Sequence, residues 1–154
     1  MKSKNKSRRE WPLFTIGYEN YEIRDFADHL KAKGIVNLVD VRQYPKSRKP
    51  GFSKRELERF FAADGIRYIH IGDLGSPSEL RKRVRTDKDY KYFFRQYLSY
   101  IEKQEESLAQ LAEIIKQGTT CIFCLEADYS YCHRKSLAAY LNILYPETFE
   151  IIHL

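Results

Sequence analysis

Three times along this chain an amphipathic stretch gives way to one glycine and then to a short strand-like run, at Gly34, Gly65 and Gly118. A glycine adopts the left-handed conformation that closes a helix without a Cβ clash, so each is read as a helix C-cap. The runs behind them, residues 35–41, 66–71 and 121–125, are read as strands. Buried strands separated by amphipathic helices are joined by crossovers, and crossovers pair strands in parallel with helices on both faces. The expected fold is therefore α/β, a three-layer sandwich with a mostly parallel sheet flanked by helices, in one domain over residues 11–154.

The remaining punctuation agrees. Residues 13–16 form a short apolar run that ends at Gly17 and Tyr18. Over residues 21–33, Ile23, Phe26, Ala27 and Leu30 follow helical spacing, with Asn20 placed as N-cap. Ser53 and Glu56 form a capping box, with Phe52 and Leu57 as its hydrophobic staple. Ser76 and Glu79 form a second, with Pro77 at the first helical position. A long helical stretch over 90–117 breaks near Glu102, a helix follows over 134–144, and a strand over 149–153 closes the chain. Tyr90, Phe93, Phe94, Tyr97 and Ile101 keep helical spacing, which makes most of them core rather than a base-stacking platform.

A hydrophobic fraction of 43% in 154 residues supplies a core for one domain. Residues 1–10, with Lys2, Lys4, Lys6, Arg8 and Arg9, have almost nothing to bury and read as a flexible basic tail. No apolar run approaches the roughly 18 residues of a membrane helix, and the basic start has no apolar stretch behind it, so no membrane association is expected. The cytoplasm is the expected location. The three cysteines, Cys121, Cys124 and Cys132, are odd in number and make no disulfide framework, which suits a reducing compartment. The net charge of +6 draws in part on a run of Arg81, Lys82, Arg83 and Arg85. A basic surface concentrates polyanions, so nucleic acid or a phosphate-bearing small molecule is the expected partner. The sequence sets no oligomeric state.

In an open parallel sheet, ligands sit outside the carboxyl ends of the strands. That rule gathers Gly17 and Tyr18, Asp40 and Arg42, and Glu126 with the loop to Arg134 on one rim. Asp40 and Arg42 are two apart on a strand and share a face. They read as a base and a phosphate-gripping fork, or as a structural ion pair. Cys124 and Glu126 repeat the spacing with a thiol and a carboxylate. Cys132, His133 and Arg134 open a helix, where unpaired N–H groups attract anions and favour a thiolate. Asp40, Glu126 and Cys132 are thus the candidate catalytic residues. Gly17, Tyr18, Arg42, Cys124, His133 and Arg134 are candidates for substrate binding, with Ser47 from the basic loop over 44–52. No cofactor is expected. Zinc is disfavoured because Cys121 and Cys124, three apart on a strand, face opposite sides of the sheet.

Thr15-Ile-Gly-Tyr18, Asp40-Val-Arg42, Phe52-Ser53, Gly65-Ile66 with Tyr68, Leu74-Gly75, Cys124-x-Glu126 and Cys132-His-Arg134 together resemble the prokaryotic family named domain of unknown function 488, from about Leu13 onward. Ser76 stands where that resemblance leads one to expect a second glycine. The resemblance implies an α/β fold and marks these residues as the site, without naming a reaction. Asp40-Val-Arg42 and His133-Arg-Lys-Ser-Leu-Ala-Ala139 are more distantly similar to rhodanese-like sulfurtransferases, although a longer loop with Glu126 and Asp128 replaces the compact cysteine loop. Three expectations follow: an enzyme acting on a nucleotide or nucleic acid, a non-catalytic nucleic-acid-binding or adaptor module, and a thiol-based sulfurtransferase-like enzyme.

Overall fold

The structure, a computed structural model, describes residues 10–154; the tail proposed for residues 1–10 lies, Glu10 apart, outside the described residues. Strands β1 (Trp11–Gly17), β2 (Asn37–Asp40), β3 (Arg67–His70), β4 (Thr120–Cys124) and β5 (Phe149–His153) form one sheet in the order β3-β2-β4-β1-β5. Every neighbouring pair is parallel. Helices α1 (Ile23–Ala32) and α2 (Lys54–Ala62) cover one face; α4 (Tyr90–Ile101), α5 (Glu105–Gln117) and α6 (His133–Leu144) cover the other. The three-layer, mostly parallel α/β architecture is the expected one.

Strand alternation feeds the two cores. On β4, Cys121 and Phe123 point into the layer with Phe26, Leu30, Leu57 and Phe61, whereas Ile122 and Cys124 point into the layer with Tyr97, Leu111 and Leu137. Buried side chains on both faces explain why these strands lack polar alternation. The helix α3 (Ser78–Asp87) is different: it buries no residue fully and lies on the outside of the second layer. Most of the aromatic run of α4 is core, as expected: Phe93, Tyr97 and Ile101 are buried, whereas Tyr90 and Phe94 are half-buried. Residues 102–104 separate α4 from α5, which is the break near Glu102. Among the described residues no helix is long and apolar enough to cross a membrane.

Several local expectations need correction. Gly34 and Gly65 have φ of +70° and +71°, as helix-closing glycines should, but Gly118 has φ of 172° and is extended. Its lack of a side chain serves close packing instead, since a Cβ there would lie 2.7 Å from Val36 Cγ2. Asn20 caps nothing; α1 is preceded by Glu22, without a side-chain cap. Ser53 does precede α2, and Phe52 and Leu57 are both buried in one cluster. Its hydroxyl, however, accepts from Ser47 N at 3.0 Å and Glu56 accepts from Gly51 N at 2.7 Å. The box therefore ties the preceding loop rather than the helix end. In the second box Pro77 precedes α3 and Ser76 makes no cap. Two of the three cysteines, Cys124 at the end of β4 and Cys132 just before α6, are brought sulfur against sulfur by the fold.

Candidate functional site

After β2 the chain turns toward β3 at one edge of the sheet; after β4 it crosses β1 to reach β5 at the other. β2 and β4 are neighbours, so their onward connections diverge and leave a crevice at their carboxyl ends. Tyr18, Arg42, Gln43, Cys124, Glu126 and His133 line its inner part. Its volume is about 200 Å³, with an annex of about 80 Å³ that shares Arg81, Arg85, Glu126 and His133.

One wall is built on Asp40. This carboxylate is fully buried, and its oxygens accept from Arg42 N (3.1 Å), Arg42 Nε (2.9 Å), Arg42 Nη2 (2.7 Å) and Tyr68 Oη (2.5 Å). Arg42 Nη1 donates to Tyr18 Oη at 3.2 Å, and the Tyr18 ring stacks on Phe52 at 4.5 Å. Burial opposes the Arg42 charge, and hydrogen bonding to Asp40 overcomes it, so its pKa shifts upward. Burial, with Asp40 beside it, raises the Tyr68 phenol and keeps it a donor. The fork of Arg42 is thus spent on Asp40, and Asp40 has no lone pair directed at the crevice. Of the two readings offered by the sequence for this pair, the geometry is that of the structural ion pair.

The opposite wall begins where β1 ends. Gly17 lies under the loop after β4 so closely that a Cβ would fall 1.7 Å from the Glu126 carbonyl oxygen. Glycine is required there to let two backbones touch. Arg134, expected to face an anion, instead turns inward and is fully buried. Its guanidinium donates to the Glu126 carbonyl, to Ala127 O (3.2 Å), Thr15 Oγ1 (3.3 Å) and Cys124 Sγ (3.3 Å). Arg134 holds the loop and so positions Glu126, and it is too enclosed to grip a ligand. Glu126 Oε2 lies 3.5 Å from Cys124 Sγ at the floor of the crevice. Burial raises its pKa above the ordinary carboxylate value, against the pull of its own backbone hydrogen bond and of Arg134.

Cys132 precedes α6 and faces Cys124. His133 Nε2 lies 2.8 Å from Val41 O, and a carbonyl can only accept, so Nε2 carries the proton and Nδ1 keeps a lone pair. Nδ1 is 3.9 Å from Cys132 Sγ. Burial pushes the ring down to about 4, which leaves it neutral near pH 7. Cys121, on the far face, has its thiol raised by burial and takes no part. Ser47 does not reach the crevice; its hydroxyl accepts from Lys49 N at 3.1 Å within the loop.

The cations of the crevice come from elsewhere. Arg81 and Arg85, one helical turn apart on α3, line both chambers, and Lys46 and Tyr44 from the loop after β2 line the larger one. Arg81 is tied to the Ser76 carbonyl; among the described residues no ion pair engages Arg85 or Lys46. Lys82 and Arg83 point away and pair with Glu79 and Asp87. Ser76, in the annex, is 1% exposed and its hydroxyl has no partner among the described residues. The four-residue spacing of Arg81 and Arg85 was a signal in the sequence that the two share a face; nothing in it placed that face over the crevice.

A parallel α/β sandwich with an arginine-rimmed crevice at its diverging strand tips is the class that fold and site define. More specifically, the family described as Domain of unknown function DUF488 matches residues 22–141, and the chain belongs to that family. No curated protein and no solved structure gives a match.

Proposed function

We propose that this protein binds a phosphate-bearing ligand, a nucleotide or a nucleic acid, in the crevice, and acts on it as an enzyme. The carrying observation is that Arg81, Arg85 and Lys46 surround a cleft floored by Glu126, and that Arg85 and Lys46 make no ion pair among the described residues. Uncompensated cations around a concave surface draw in phosphate. The buried Ser76 hydroxyl without a partner supports the same reading, because such groups normally bond to something. Tyr44, 61% exposed at the mouth, offers a ring on which a base can stack. Glu126 replaces Asp40 as the carboxyl available for chemistry. The proposal places the protein in the cytoplasm, where such ligands abound and thiols stay reduced.

The test is binding of labelled single-stranded DNA, RNA and nucleoside triphosphates at low salt. The logarithm of the wild-type binding constant is expected to fall linearly with log salt, and the Arg81→Ala, Arg85→Ala double variant to bind at least ~10-fold more weakly. Absence of binding to all three probes would overturn the reading. Glu126→Gln decides between an enzyme and a non-catalytic module: an enzyme keeps binding and loses turnover of the bound probe. Sulfurtransferase-like chemistry has one observation in its favour, the Cys124 sulfur at the crevice floor. Against it, Cys132 is buried and turned toward Cys124.

A further inference from the structure

We infer that Cys124, Cys132 and His133 form a binding site for one divalent metal ion of the zinc class, at the floor of the crevice, with a fourth coordination position opening into it. The expectation against zinc rested on Cys121, and Cys121 does lie on the other face of the sheet. The remaining three groups converge without it. Their ligand atoms all lie within 4.8 Å of one another, and all three residues are buried. Two sulfurs and an imidazole form a donor set that suits zinc.

Three features of the surroundings point to a metal rather than to a direct sulfur–sulfur link. The Cα atoms of Cys124 and Cys132 stand 7.7 Å apart. A disulfide spans about 4.4–6.8 Å between Cα atoms and cannot bridge more than about 7 Å without backbone movement. Two zinc–sulfur bonds of about 2.3 Å at a tetrahedral angle hold sulfurs about 3.8 Å apart, which suits a wider backbone gate. The second feature is charge. Arg134 is fully buried and makes no ion pair with a carboxylate among the described residues, yet it donates to Cys124 Sγ at 3.3 Å. Glu126 acts on this cation only through space, without an ion pair, whereas a Cys124 thiolate would put an anion in direct contact with it and a disulfide sulfur would not. The third is the His133 ring, oriented by its Nε2–H bond to Val41 O so that Nδ1 faces the sulfurs. Metal-bound histidines are characteristically held by such a carbonyl on the other nitrogen.

Binding releases the two thiol protons to solvent and leaves His133 Nε2–H in place, so no oxidant or reductant is consumed. Cys124, Glu126 and His133 line the crevice, so a fourth ligand reaches the ion from that side, next to the Glu126 carboxyl. A metal there sits beneath the cations of α3 and would meet whatever anion they hold.

Cobalt(II) titration of the reduced, metal-stripped protein under anaerobic conditions tests the site. Expected is one equivalent bound with a near-ultraviolet thiolate-to-cobalt charge-transfer band and tetrahedral visible bands, all bleached by zinc. Cys124→Ser or Cys132→Ser should cut the charge-transfer intensity to roughly half and weaken binding at least ~10-fold, as loss of one of two thiolates requires. Cys121→Ser should leave the spectrum unchanged, with circular dichroism confirming that each variant is folded. No charge-transfer band in the wild type, the same band in both serine variants, or a Cys124–Cys132 disulfide that persists under reductant would each overturn the inference. Arg81 and Arg85 are not ligands, so failure of the anion-binding test leaves this result unaffected.

Discussion

Asp40 receives hydrogen bonds from the Arg42 backbone, the Arg42 guanidinium and the Tyr68 hydroxyl, and no water reaches it. Removing its charge would leave the Arg42 guanidinium buried and unpaired, the costly way to break an ion pair. Asp40→Asn is expected to lower the unfolding free energy by about 3 kcal/mol, read by urea denaturation. Tyr68→Phe removes one donor to a charged acceptor and is expected to cost about 1.5–3 kcal/mol. Neither variant should weaken phosphate binding in proportion to the stability it loses, because Asp40 is enclosed and the Arg42 fork is engaged by Asp40. The sequence already contained this pair as one of two readings of Asp-x-Arg. What decided between them was Tyr68, a residue 28 positions downstream that no local pattern connects to Asp40.

Helix α3 shows the same division at the level of an element. Its basic run reads as one patch along the chain, but the 3.6-residue period splits it. Arg81 and Arg85 go to the crevice, and Lys82 and Arg83 go to outward ion pairs. The helix ends at Lys88 in the left-handed region, with φ of 57°. A side chain there carries a Cβ penalty of about 1–2 kcal/mol, partly offset by the lower chain entropy of a non-glycine residue. Lys88→Gly is expected to raise stability by roughly 0.5 kcal/mol, visible as a small increase in Tm. Helices and strands were legible in the sequence because burial on both sheet faces and the helical period leave strong marks. Caps were less so: Ser53 and Ser76 have the right spacing, but the Ser53 hydroxyl accepts from Ser47 N in the preceding loop and the Ser76 hydroxyl makes no cap.

Across the whole molecule, the C-terminal strand is stitched to the site through one histidine. Thr15 Oγ1 accepts from Arg134 Nε and lies within hydrogen-bonding distance of His153 Nδ1, 2.6 Å away. Burial lowers the His153 pKa below 6.5, with Arg134 and Lys135 acting in the same direction. A depressed histidine contributes stability that is present above the unfolded pKa and is lost as pH falls through the folded one. Urea midpoints should therefore drop below pH 6.5, and the drop between about pH 7.5 and about 5.5 should be smaller in His153→Gln than in the wild type. An equal drop in both would remove His153 from the account. The convergence of Cys124, Cys132 and His133 belongs to this scale too. The chain order showed the two thiols eight residues apart around a loop, but only the packing of α6 against the ends of β2 and β4 sets their distance.

Val41 supplies the carbonyl that steadies the His133 ring, and the next residue along the chain is Arg42, locked in the opposite wall. One peptide plane therefore serves as a hinge pin between the sulfur floor and the arginine side. Tilting it from either side transmits to the other, so an occupant seated against Arg42 should register in the amide resonance of Cys132 without touching it.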